Sequence, residues 1–158
     1  MGTEVNYSEL KKKIAFELEE AFGKLKRMEY VCHSISPREF YDYMTGETLT
    51  GDTITIVDVL DNEFLMIHEA VEISELKRQG IPINKQTVMT SRPRVYESHY
   101  KATDYELEYA LSKGNHGWLK TRVAHAKSRL EDLDMPPHLI KKCQALITKF
   151  SKAQQRSS

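Results

Sequence analysis

The chain has 158 residues with 23 basic and 23 acidic side chains, so its formal net charge is zero, and 40% of its residues are hydrophobic. This length and composition predict one soluble globular domain and exclude disordered and fibrous proteins. The balanced charge argues against a general nucleic-acid binder, because such a protein needs a net positive surface to displace counterions from phosphates.

The first predicted helix follows Asn6, which has capping-box spacing to a glutamate three residues later. Apolar residues then recur at helical intervals, and they are Leu10, Ile14, Leu18, Ala21, Phe22, Leu25 and Met28. Ser36 and Pro37 predict the start of a second, short helix, since serine caps helices and proline suits the first helical position. Gly46 is typical of a helix end and closes this second element.

The next segment supports two interpretations. Its β-branched run at residues 53–57 would suit a short strand. However, an apolar stripe with helical spacing continues from Val57 to Val71. We therefore predict one long helix from residue 52 or 53 to residue 79, ended by a glycine and a proline, with a strand at 53–58 as the alternative.

Residues 81–101 contain two prolines and scattered β-branched residues, which predict an extended connection. The capping-box spacing of Thr103 and Glu106 predicts a helix that ends near residue 112. Another helix is predicted over residues 117–133, and Pro136 and Pro137 begin the last one.

Together these elements predict an all-α fold. The expected architecture is a single-domain bundle of five to six helices over residues 1–152, followed by a disordered polar tail at residues 153–158. Two distant cysteines, Cys32 and Cys143, favour reduced thiols in a cytoplasmic protein. No apolar run approaches the roughly 20 residues needed to cross a bilayer, so no membrane association is expected.

One acidic segment, residues 58–75, contains no lysine or arginine. It holds one histidine, His68, and six carboxylates, which are Asp58, Asp61, Glu63, Glu69, Glu72 and Glu75. Such acids repel one another unless a cation or a basic partner neutralises them. His68 and Glu72 are four residues apart and share a helix face, and imidazole with carboxylate suits zinc, manganese or iron. The alternative is a solvated acidic face beside a histidine of the core.

These residues resemble the site of the HD-domain metal-dependent phosphohydrolases, in particular the nucleotidase-like members. That family combines an isolated histidine, a later His-Asp doublet, a glutamate three residues after the doublet and a distant aspartate. Here His33 is similar to the isolated histidine, and His68-Glu69 to the doublet, with glutamate in place of aspartate. The resemblance implies that Glu72 positions or deprotonates the attacking water. It also implies one divalent ion (Mn, Zn, Mg or Fe), held by His33, His68, Glu69 and Asp132, although Asp104 and Asp134 are rival candidates for the last ligand.

The predicted helix at 117–133 carries a stripe with spacings of four, three, four and three: Trp118, Arg122, His125, Arg129 and Asp132. Arg122, His125 and Arg129 could bind a phosphate, because guanidinium forks match phosphate oxygens bidentately. The alternative is a solvated face with a weak surface ion pair.

The first functional hypothesis is a divalent-metal-dependent hydrolase of a small phosphorylated substrate such as a nucleotide. The second is a non-catalytic helical interaction module whose acidic helix docks a basic partner. The chain has an acidic centre and a basic end, and these could pair within the fold or in a homodimer.

Overall fold

The computed structural model describes residues 6–46, 54–133 and 135–157. Over these residues the fold is all-α, with eight helices and no strand, which confirms the predicted fold class and corrects the expected number of five to six helices. The helices are α1 (Tyr7–Arg27), α2 (Pro37–Thr45), α3 (Ile56–Leu60), α4 (Glu63–Arg78), α5 (Thr87–Thr90), α6 (Arg92–Ser112), α7 (His116–Arg129) and α8 (Pro137–Ser157).

Two predicted helix starts are confirmed by side-chain caps. The Asn6 side chain accepts a hydrogen bond from the backbone N–H of Ser8 at the start of α1. Ser36 and Glu39 form both bonds of a capping box at the start of α2. These bonds satisfy backbone donors that have no partner within the helix.

The prediction of a single helix from residue 52 or 53 to residue 79 was wrong. Two N-terminal caps divide the described part of this segment into two helices, α3 and α4. Thr55 and Asp58 form a capping box that starts α3, and the Asn62 side chain accepts from two backbone N–H groups to start α4. The alternative strand is also absent from the described residues 54–58, whereas residue 53 lies outside them. Local side-chain bonds to the backbone outweigh the β-branched composition of this segment.

The prediction of an extended connection at residues 81–101 was also wrong, because this segment contains α5 and the first ten residues of α6. Pro93 stands in the first turn of α6, where a missing N–H costs nothing. The capping box expected at Thr103 lies inside α6, and the Thr103 hydroxyl donates to the His99 carbonyl at 2.8 Å. Helix α8 continues through residues 153–157 of the predicted disordered tail at 153–158, and residue 158 lies outside the described residues.

Helix α4 lies at the centre of the fold and packs against α1, α3 and α6. Twelve of its 16 residues are buried, so the polar residues on this helix must enter the core. The buried apolar residues form two clusters, one around α4 and one that joins α6, α7 and α8. Tyr96 and Trp118 pack against both clusters. None of the helices in the described chain is long and apolar enough to span a membrane.

Candidate metal centre

Three side chains from the two central helices bring their polar atoms together. His68 and Glu72 lie one turn apart on α4, and His99 comes from α6. Nε2 of His68 is 3.1 Å from Nδ1 of His99 and 3.5 Å from Oε1 of Glu72, and the last two atoms are 3.2 Å apart. We call these three residues the central cluster. Within the described parts of the chain they form the one group of three or more potential ligands whose atoms approach this closely.

These distances match the spacing of ligands around a small divalent cation. Zinc–nitrogen and zinc–oxygen bonds of 2.0–2.2 Å in a tetrahedral site place neighbouring ligand atoms about 3.3 Å apart. The three distances in the central cluster are 3.1, 3.2 and 3.5 Å. The cluster could therefore hold a cation with three protein ligands and leave a fourth position for water or another small ligand.

Glu106 on α6 orients the imidazole of His68. Its Oε1 lies 2.9 Å from Nδ1 of His68, and the Glu106 side chain is fully buried. An ionised carboxylate only accepts, so Nδ1 of His68 carries a proton and Nε2 faces the central cluster. A carboxylate bonded to the outer nitrogen of a ligating histidine is the usual support of protein metal sites.

Two side chains of α7 hold Glu106 in turn. The Arg122 guanidinium donates from Nε to Oε2 at 2.8 Å and from Nη2 to Oε1 at 2.9 Å. The Trp118 indole N–H donates to Oε2 at 2.7 Å. Glu106 is thus fixed by three donors from α7 in addition to Nδ1 of His68, and it cannot rotate without breaking several buried, charge-assisted hydrogen bonds.

Tyr43 on α2 fixes the carboxylate of Glu72 in the same way. Its hydroxyl donates to Oε2 of Glu72 at 2.5 Å, so Oε1 is the oxygen that faces the two histidines. Glu72 is 5% exposed, and His68 is 2% exposed. The His99 side chain is 21% exposed and connects the central cluster to the surface.

The protonation of the central cluster follows from burial and hydrogen bonding. Burial disfavours an imidazolium at His68, but hydrogen bonds with Glu106 and Glu72 raise the pKa of His68 to about 10. Burial opposes ionisation of Glu106 as well, yet the His68 bond and the Arg122 charge lower its pKa to about 2. Despite burial, bonds with both histidines hold the pKa of Glu72 well below its usual range. Burial lowers the pKa of His99, so this ring is neutral.

No family model, curated protein or solved structure matches this chain. The resemblance to the HD-domain phosphohydrolases therefore rests on the spaced residues His33, His68, Glu69, Glu72 and Asp132 alone. What the chain can do must be argued from the geometry of its own side chains.

The other metal ligands implied by the resemblance lie outside the central cluster. His33 is exposed, and its backbone N–H donates to the Ser74 hydroxyl at 2.7 Å. Glu69 is half-buried and follows His68 directly, so its side chain is turned about 100° away around the helix. Asp132 is exposed in the loop after α7, and its rival Asp104 bonds Lys149 at 2.7 Å on the surface. The other rival, at residue 134, lies outside the described residues.

Of the residues predicted to bind phosphate, Arg122 reaches the central cluster through its bonds with Glu106. Arg122 is half-buried, and its guanidinium is already paired with the carboxylate of Glu106. His125 is exposed and Arg129 is half-buried further along α7. Glu72, predicted as the catalytic base, instead contributes a candidate ligand atom.

Sequence reasoning missed His99 and Glu106. Both lie where an extended connection and a helix start were predicted, so neither was expected to share a helix face with the other. The signal was nevertheless present, because the two are seven residues apart, which is two helical turns. A helix through residues 92–112 would have placed both side chains towards the same neighbour.

Proposed function

We propose that the protein binds a divalent transition-metal cation, with zinc as the best match, at the central cluster. The ligand atoms are Nε2 of His68, Oε1 of Glu72 and Nδ1 of His99. The observation that carries the proposal is the mutual spacing of these atoms, 3.1–3.5 Å, combined with the Glu106 bond that turns Nε2 of His68 towards the other two.

Proton counting supports a cation over hydrogen bonding alone. Nδ1 of His68 donates its hydrogen bond to Glu106, so only Nε2 of His68 and Nδ1 of His99 could supply N–H donors to the three central contacts. In every combination of tautomers, at least one contact joins two lone pairs or two N–H groups. A cation in the centre makes all three contacts favourable at once.

The local charge also supports a cation. Glu72 and Glu106 are both buried and ionised, whereas Arg122 is the one permanent cation among the described residues that bonds either carboxylate. One negative charge is therefore left over in a region where uncompensated charge is costly. A proton on His68 balances it in the metal-free protein, and a bound metal would replace that proton.

The reaction class that we propose is metal-assisted hydrolysis. Three protein ligands and one open position are typical of catalytic zinc sites, where the metal lowers the pKa of bound water towards 7. A small phosphorylated substrate remains the proposed substrate class, with the metal rather than Arg122 neutralising its oxygens. The burial of α4 speaks against the alternative of an acidic helix that docks a basic partner, because Glu72 and Glu75 are not offered to solvent.

The test is a zinc titration followed by calorimetry, on protein first stripped with EDTA. The wild type should bind one zinc per chain, and His99→Ala and Glu72→Gln should lose that binding. His138→Ala on α8 is the matched control, because His138 is exposed and pairs with Glu97 instead. A stoichiometry of zero for the wild type, or equal losses in the control, would refute the metal site.

Hydrolysis is tested separately with the zinc-loaded and manganese-loaded protein. A panel of nucleoside monophosphates and p-nitrophenyl phosphate should show phosphate release that EDTA abolishes and that His138→Ala retains. Metal binding without phosphate release would support the metal site but refute the proposed hydrolase activity.

A further inference from the structure

The zero net charge of the chain hides a strong separation of charge. Residues 113–158 hold ten basic and three acidic side chains, whereas residues 1–112 hold 13 basic and 20 acidic ones. The formal charges of the two parts are therefore +7 and −7. Nine of the ten basic side chains of residues 113–158 lie on α7 and α8, which pack against each other.

A groove of about 790 Å³ runs between α7 and α8. On the α7 side it is lined by His116, Lys120 and Lys127, with Ala124 between the two lysines. On the α8 side it is lined by hydroxyl and amide side chains that include Ser151 and Gln154. Among the described residues that line this groove there is no acidic side chain and no phenylalanine, tyrosine or tryptophan.

The two groove lysines differ from Lys77 and Lys101 of the acidic part, which form ion pairs. Lys77 bonds Glu39 at 2.8 Å, and Lys101 bonds Glu75 at 2.9 Å. By contrast, no ion pair joins Lys120 or Lys127 to another residue in the described chain. Both lysines are exposed, so their charges face solvent and are available to an anionic partner.

We propose that the groove between α7 and α8 binds the sugar-phosphate backbone of a double-stranded nucleic acid. Lys120 and Lys127 are seven residues apart, or about 10.5 Å along the helix, which spans about three phosphates of one strand. The side chains of Ser151 and Gln154 can donate hydrogen bonds to phosphate and sugar oxygens. This binding is independent of the metal site.

A duplex fits better than a single strand because single-strand sites use aromatic side chains on which bases stack. The groove lining in the described chain offers no phenylalanine, tyrosine or tryptophan, and its lysine, hydroxyl and amide groups suit contacts with the phosphate backbone, which carry no sequence preference. A second copy of this chain fits less well, since many acids of its acidic part are already paired or buried. These include Glu39, Glu75, Asp104 and Glu106.

The experiment measures fluorescence anisotropy of a labelled duplex of about 20 base pairs, longer than the roughly 6 base pairs that a 14-residue helix can follow. EDTA is included so that the metal site plays no part. The test variant is Lys120→Gln/Lys127→Gln, and the control is Lys11→Gln/Lys12→Gln on the exposed surface of α1. Circular dichroism verifies that both variants keep their helix content.

Wild type and control should bind alike, with affinity that falls as salt rises. The loss of two phosphate contacts in the test variant should weaken binding about 60-fold at 0.1 M salt and reduce the salt slope by about 1.8. Three results would each overturn the proposal. These are no binding at low salt, equal losses in both variants, and binding of poly-glutamate as tight as that of the duplex. Dimerisation that depends on the two groove lysines, without duplex binding, would assign the groove to a second copy instead.

Discussion

Nδ1 of His68 lies 2.9 Å from Oε1 of Glu106, although 38 residues separate them in the chain. This contact joins the two central helices through a buried, charged pair. The Arg122 guanidinium extends it to α7 by bonding both oxygens of the same carboxylate. The orientation of one imidazole on α4 therefore depends on residues of two other helices, α6 and α7, and this dependence motivates the first prediction.

Replacing Glu106 with glutamine should weaken zinc binding by about 10–100-fold, because loss of the supporting carboxylate makes the His68 ring a poorer and less well oriented ligand. The measurement is competition with a zinc-sensitive dye. Glu108→Gln is the matched control, since Glu108 lies on the same helix but bonds Lys149 at the surface. Equal affinities of the two variants would contradict the role of Glu106.

Zinc should raise the thermal stability of the wild type. At a free zinc concentration of 100 times Kd, binding to the folded state stabilises it by about 2.7 kcal/mol, which corresponds to about 5–10 °C in Tm for a chain of this size. Differential scanning calorimetry with zinc and then with excess EDTA measures the shift. His99→Ala should show no shift, and a shift of wild-type size in this variant would rule out His99 as a ligand.

The metal-free protein should lose stability as the pH rises from 6.5 to 9. The pKa of His68 is about 10 in the folded state against 6.5 for an ordinary histidine, so its contribution is full below pH 6.5 and disappears as the pH passes through 10. The slope is at most about 1.4 kcal/mol per pH unit. Urea denaturation at several pH values measures it, and His68→Gln should flatten the profile.

Acid should destabilise the protein for the opposite reason. The pKa of Glu106 is about 2 in the folded state against 4.5 for an ordinary glutamate, so its contribution is present above pH 4.5 and is lost as the pH falls through 2. In Glu106→Gln this loss should be smaller than in the wild type over that range. An unchanged acid transition in the variant would show that other carboxylates dominate.

Two glycines should respond in opposite directions to alanine. A Cβ at Gly46 would overlap the backbone of Lys85, so Gly46→Ala should destabilise the fold by about 1–3 kcal/mol. At Gly23, inside α1, the nearest atom is Nη1 of Arg27 at 4.0 Å, so Gly23→Ala should stabilise it by about 0.5–1 kcal/mol. Urea denaturation of both variants provides the comparison, and a stabilised Gly46→Ala would contradict the close packing there.

The sequence predicted the helical class and the helices with clear apolar periodicity and side-chain caps. It failed where two local signals competed. Thr55 and Asn62 each start a helix within one continuous apolar stripe, so periodicity alone merged α3 and α4. The proline and β-branched residues before Val95 suggested an extended chain, yet packing against α4 keeps this segment helical.

The candidate site was predicted only in part, for a related reason. His68 and Glu72 share one helix face, and helical spacing within a single element is visible in the sequence. His99 and Glu106 reach them from another helix, and that pairing depends on how α4 and α6 pack, which no local pattern encodes. His33 was predicted as a ligand because it precedes His68 in the order that the resemblance requires, but its side chain is exposed in the structure.

Trp118 is the single tryptophan of the chain, and its indole both stacks on Phe64 and donates to Glu106. Indole emission responds to the polarity and charge around the ring. Any event that shifts the carboxylate of Glu106, such as metal entry or proton loss at His68, should therefore change the natural fluorescence of the protein. The molecule carries its own optical reporter, and occupancy of the site can be followed without a label.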